Sequence, residues 1–155
     1  LIFEAHRARP WVAVHTESDR AYADLIECTT LLVDDDLTAP GRFAWVGGDM
    51  PLYTAFMGNC YEHTQTHLAQ YLLDRRDDAR AVAIYEEWAS SVVGAGVPDL
   101  LKGYTLYNLA CFYATHGRLE TARPVLRQAF ALYPEAREFA RTDPDLVALR
   151  PNPAE

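Results

Sequence analysis

The chain has 155 residues, 50% of them hydrophobic and 23% charged, and a formal net charge of -8. That length allows one ordinary domain or two small ones, each able to bury a core. Acidity without a Lys/Arg cluster argues against nucleic-acid binding, and no apolar run reaches the roughly 18–20 residues of a membrane span.

Residues 1–10 carry no apolar segment of the signal-peptide kind, and the opening Leu reads as a fragment or a processed product. The first 73 residues hold ten acidic and four basic side chains. Cys28, Cys60 and Cys111 are far apart and lack C-x-x-C spacing, which fits reduced, mostly buried thiols in a cytoplasmic protein.

Residues 11–32 place Trp11, His15, Ser18, Tyr22, Leu25, Thr29 and Leu32 at steps of four and three. This predicts an amphipathic helix behind Pro10, ended by Asp34-Asp35-Asp36. Residues 38–48 read as a loop with breakers at Pro40-Gly41 and Gly47-Gly48, in which Phe43 and Trp45 are expected to be buried anchors.

Residues 49–73 read as one long helix, with Asp49 or Met50 as N-cap and Pro51 in the first turn. At about 100° per residue, Leu52, Phe56, Cys60, His63 and His67 share one arc, flanked by Tyr53 and Tyr71. Two histidines at i, i+4 on a core-facing arc are either part of a metal site or core residues satisfied by neighbouring hydroxyls and carbonyls.

Beyond the charged break at residues 74–78, Ala81, Ile84, Tyr85, Trp88 and Val92 predict a helix over 79–93, closed by Gly94-Ala95-Gly96. Further helices are expected over 99–116, stopped by Gly117 at C′, and over 119–133, with Pro124 near the start. Pro134, Pro144 and Pro151 punctuate two short helical pieces. No strand-like alternation occurs, so the expected class is all-α.

Leu106-x-x-Leu109-Ala110-x-x-Tyr113, Gly117, Ala122-x-x-x-Leu126-x-x-Ala129 and Pro134 resemble a tetratricopeptide repeat, with residues 103–150 covering the repeat and a helical cap. The small Ala110, Ala122 and Ala129 stand where the two helices of such a hairpin approach closely. The resemblance implies that Asn108 looks onto a concave groove. Tyr104, Tyr107 and Asn108 are then candidate contacts for a protein or peptide partner, or else pack against the upstream helix. His116, at the turn, reads as a surface residue near a helix C-terminus.

Pro10-Trp11, Phe43-x-Trp45-x-x-Gly48, Pro51-Leu52 and Asn59-x-Tyr61-Glu62-His63-x-x-x-His67 resemble the second half of a DinB-like four-helix bundle over residues 10–73. That family is similar to thiol-S-transferases and metal-dependent hydrolases. The resemblance implies a divalent metal (Zn, Ni or Fe) held by three histidines, of which His63 and His67 match an i, i+4 pair. The third would lie ahead of residue 1, and Thr66 stands where relatives often carry an acid. Within this chain the candidate third ligand is His15 and, more remotely, His6 or Glu62. Cys60 is about 10 Å of helix from His67, too far to share an ion with both histidines.

The expected organisation is therefore a DinB-like helical pair over residues 1–73 and a tetratricopeptide-like hairpin and cap over 74–155. The leading functional expectation is a non-enzymatic interaction or scaffold module built on the groove at Asn108. The rival is a metal-dependent transferase or hydrolase at His63 and His67. A second copy of the chain, supplying the missing helical hairpin in a homodimer, is a further expectation.

Overall fold

The computed structural model describes residue 4 and residues 6–150. Pro151 lies outside the described residues. Every regular element is helical, with no strand among the described residues, so the chain is all-α. No helix among them is long and apolar enough to cross a membrane. The chain divides into two compact units, Leu1–Met57 and Gly58–Glu155.

That division falls inside the stretch 49–73 and not after it. The stretch is not one regular helix: Leu52–Ala55 is α-helical, Phe56–Glu62 is π-helical and His63–Asp74 is α-helical again. An i→i+5 ladder turns less per residue than an α-helix. The constant step that placed Leu52, Phe56, Cys60, His63 and His67 on one arc therefore fails across Phe56–Glu62.

In the first unit, α1 (Trp11–Thr29) starts behind Pro10, whose carbonyl accepts the N–H groups of Ala13 and Val14. None of its residues is buried, and Trp11 is 76% exposed. Apolar spacing specifies a face but supplies nothing to cover it. Asp34-Asp35-Asp36 does not simply end α1; it opens a short helix, α2 (Asp34–Thr38). Acids suit a first turn because they face the positive end of the helix dipole. Asp36 also accepts the Val33 N–H at 3.0 Å, which holds its carboxyl below the usual range. A 3₁₀ turn covers Ala44–Val46, and α3 (Leu52–Ala55) carries the only buried residue described in this unit, Leu52. The expected burial of both loop aromatics fails: Trp45 is 71% exposed and Phe43 only half-buried. Their rings contact each other, with centroids 6.3 Å apart, which satisfies two aromatics without a core.

The second unit holds the core. Its helices are α4 (His63–Asp74), α5 (Asp78–Gly94), α6 (Asp99–Thr115), α7 (Leu119–Leu132) and α8 (Ala136–Ala140), followed by a 3₁₀ segment Pro144–Leu149. Packing is sequential, α4 on α5, α5 on α6 and α6 on α7, with the 3₁₀ segment also laid on α6. Helix α6 is thus covered on most sides, and Leu106, Leu109, Ala110, Cys111, Phe112, Tyr113 and Ala114 are all buried, as suits a helix apolar almost all round. Helix α4 belongs here because its buried residues, Ala69 and Leu72, join the same apolar cluster.

Helices α6 and α7 form a tight hairpin. Ala110, Ala122 and Ala129 are fully buried. The closest approach is at Gly103, where an added Cβ would stand 2.5 Å from Tyr133 Cβ and 2.9 Å from its backbone nitrogen. The turn ends α6 in a double hydrogen bond, Gly117 N–H to Ala114 and Arg118 N–H to Tyr113, with Gly117 at φ +73°. Helix α4 closes in the same way, Arg76 N–H to Leu73 and Asp77 N–H to Leu72, but with Arg76 in the left-handed position at φ +61°. Pro124 lies inside α7, which runs through it.

Candidate functional site

The second unit contains a concave cavity of about 340 Å³. Helix α4 and the π-helical turn before it line one side with Glu62, Thr66, Ala69, Gln70 and Leu73. Glu62, Thr66, Ala69 and Leu73 follow one another at steps of four, three and four, with Gln70 four residues after Thr66, so they form one stripe of that helix. Helix α5 adds Tyr85 and Trp88, and α6 adds Tyr107, Asn108, Cys111 and Phe112. Asp143 and Asp145 close the far side.

The polar groups form two anchored clusters. In the first, Asn108 Nδ2 donates to Glu62 Oε1 at 2.6 Å, and the Tyr104 hydroxyl is also hydrogen-bonded to that carboxylate. Burial pushes the Glu62 carboxyl up, and these two neutral donors only partly oppose the shift. In the second, the Tyr107 hydroxyl donates to Asp143 Oδ2 at 2.6 Å, while Asp143 Oδ1 accepts the Asp145 N–H at 2.9 Å and caps the 3₁₀ segment. Burial and the bond to Asp143 both raise the Tyr107 phenol.

Cys111, Asp143 and Asp145 bring one thiol and two carboxylates within 4.8 Å of one another. The arrangement is a structural tie. Burial, then the two carboxylates, push the Cys111 thiol up to about 12, so it stays protonated and points its sulfur at Asp143 Oδ2, 3.8 Å away. A metal there would first have to displace the Tyr107 and Cys111 donors.

An aromatic stack forms the remaining wall. Tyr85 lies on Phe112 with centroids 4.0 Å apart and planes 18° apart, and His116 lies on Phe112 at 4.3 Å and 29°. His116 also shares a hydrogen bond with the Phe112 carbonyl at 2.7 Å. The residue is exposed, as its place at the turn led us to expect, yet it also edges the cavity. Trp88 meets Tyr85 edge-on at 5.5 Å and is 2% exposed. Its indole Nε1–H has no acceptor among the described residues.

No family model, no curated protein and no solved structure matches this chain.

The histidine pair lies elsewhere on the same helix. His63 and His67 each follow, by one residue, the cavity-facing Glu62 and Thr66, so they are turned about 100° away from the cavity. Both are exposed, contrary to the expected core face. Their Nε2 atoms are 3.0 Å apart, with ring planes 89° apart. Two imidazoles in this geometry can share an ion, but a catalytic zinc-type centre takes three protein ligands and an open position. Among the described residues of this unit, no third histidine, cysteine or carboxylate ligand joins the pair. The pair by itself supplies two of the three protein ligands that such a centre takes. His15, the candidate third ligand, is in the first unit and is exposed, not core-leaning; its Nδ1 pairs with Asp19 at 3.0 Å. His6 is likewise exposed and lies beside Arg9.

Of the three candidate partner contacts, Asn108 and Tyr107 line the cavity, and Tyr104 reaches it through Glu62 while itself 41% exposed. Sequence reasoning missed Asp143, Asp145, Tyr85, Trp88 and Cys111 as cavity residues, and ranked Glu62 only as a remote metal ligand. A signal for Glu62 was present. Glu62, Thr66, Ala69 and Leu73 share a helical stripe ending in apolar residues, one position out of step with the histidines.

Proposed function

We propose that the second unit is a helical interaction module that takes a peptide segment of a protein partner in the cavity at Asn108. The observation that carries this reading is a preformed concave cavity into which Asn108 presents its side chain from the central helix. About 340 Å³ lies at the small end of ligand pockets, enough for one or two side chains of a bound segment. The resemblance of residues 103–150 to a tetratricopeptide repeat supports the same choice of face. The cavity's thiol, Cys111, is not an activated nucleophile, because burial and Asp143 hold it protonated.

The test is selection of phage-displayed random peptides on the purified chain, followed by titration of the enriched sequences. Asn108→Ala and Tyr107→Phe should weaken them by roughly tenfold, the value of a hydrogen bond or two. Binders insensitive to both substitutions, or no enrichment, would overturn the reading.

One observation favours a second reading, a metal-dependent DinB-like transferase or hydrolase: the 3.0 Å separation of the His63 and His67 nitrogens. It requires a third ligand from outside this unit. Metal analysis of the purified protein with and without His67→Ala tests it, and less than about a tenth of an equivalent per chain ends it.

A further inference from the structure

The cavity has a one-sided charge. Among the described residues, Glu62, Asp143 and Asp145 line it, no Lys or Arg does, and His116 is the only lining residue able to carry a positive charge. Among the described residues none of the three carboxylates takes part in an ion pair. Asp143 already accepts from Tyr107, Cys111 and the Asp145 N–H. Glu62 differs. It is half-buried, and the described donors to it, Asn108 and Tyr104, are both neutral. A half-buried carboxylate that lacks a cation favours a ligand that brings one.

The walls agree with that choice. Tyr85, Phe112 and His116 stack along one side, and aromatic carbon is a favourable neighbour for an ammonium or guanidinium. Trp88 packs behind this wall, edge-on to Tyr85. It lines the cavity, is 2% exposed, and its indole N–H has no acceptor among the described residues. A ligand that carries a cation on an apolar stem suits both the carboxylate and the aromatic wall, and a basic residue within a peptide is such a ligand.

We propose that the cavity receives a lysine or arginine side chain of a partner peptide, with the cationic head at Glu62 and the stem along the Tyr85–Phe112 wall. This rests on the interaction-module reading and specifies its ligand. The chain's net charge of -8 favours the approach of such a partner.

The experiment is a nitrogen-15 NMR titration of the full chain, following the Trp88 indole N–H and the Asn108 side-chain amide. The probes are end-blocked Gly-Gly-Xaa-Gly-Gly peptides with Xaa as Lys, Arg, norleucine or Glu, and free butylamine. The Lys or Arg peptide should shift both signals saturably, the norleucine and Glu peptides should not, and Glu62→Gln should weaken binding about tenfold or more. The norleucine comparison uses the unaltered protein and needs no variant to fold. Equal shifts with norleucine, no saturable shift with either basic peptide, or butylamine binding as tightly as the Lys peptide would overturn the proposal. Phage selection separates the two readings. Enriched peptides that depend on Asn108 but show no excess of Lys or Arg leave the module reading standing and remove this one.

Discussion

Two i, i+4 pairs, one residue apart, mark two faces of the same stretch of helix. Glu62 and Thr66 face a cavity among aromatic rings and buried helices; His63 and His67 face outward, in contact mainly with each other. The histidines are the more eye-catching residues, and their ring nitrogens are at chelating distance. The carboxylate has the more consequential surroundings: partial burial, two neutral donors and no counter-ion among the described residues. Residue type suggests chemistry, but one step of 100° around a helix decides whether it meets the core.

The largest effect that separates the two faces is expected behind the cavity. Trp88→Ala should cost about 3–5 kcal/mol in urea unfolding, since a buried indole is replaced by a void. Ala69→Leu, which overfills a position 1% exposed on the inward stripe of α4, should cost about 1–3 kcal/mol in the same measurement. Losses below about 0.5 kcal/mol for both would mean that the inward face is misassigned.

The third prediction concerns pH. Burial raises the Glu62 carboxyl above its ordinary 4.5 in the folded chain. The folded state therefore holds this proton more tightly than the unfolded one. Its contribution to stability is greatest below 4.5 and declines as pH rises through the raised folded value. Neighbours facing it are Tyr104 and Asn108 on α6 and Tyr85 on α5, whose phenol burial pushes up, away from that range. Glu62→Gln should abolish the decline and keep an acceptor for Asn108. Identical urea midpoints for the two proteins across pH 4 to 8 would contradict this.

The smallest effect is expected on the outer face. His63→Ala and His67→Ala should each stay within about 0.5 kcal/mol, as exposed substitutions do. A loss above about 2 kcal/mol for either would return the histidines to a buried role.

Much of the second unit was legible because its cues are local. The helix from Asp99 is stopped by Gly117 at φ +73°, as a C′ glycine should be, and Ala110, Ala122 and Ala129 are small where the hairpin closes. What stayed hidden depends on long-range or non-standard geometry. The π-helical Phe56–Glu62 has no reliable sequence mark, yet it undoes any arc drawn across residues 49–73. Trp45 and Trp11 are exposed because an aromatic residue signals a wish for cover and not its presence. Asp143 and Asp145 come from a short 3₁₀ segment far along the chain, and only folding brings them to Tyr107 and Cys111.

The most direct test of the inward-facing assignment is a head-to-head titration of one selected peptide against His63→Ala/His67→Ala and against Glu62→Gln/Asn108→Ala. The histidine variant should bind as the unaltered chain does, while the Glu62/Asn108 variant, still folded by circular dichroism, should lose about tenfold or more. Binding lost in the histidine variant and kept in the other would contradict the account.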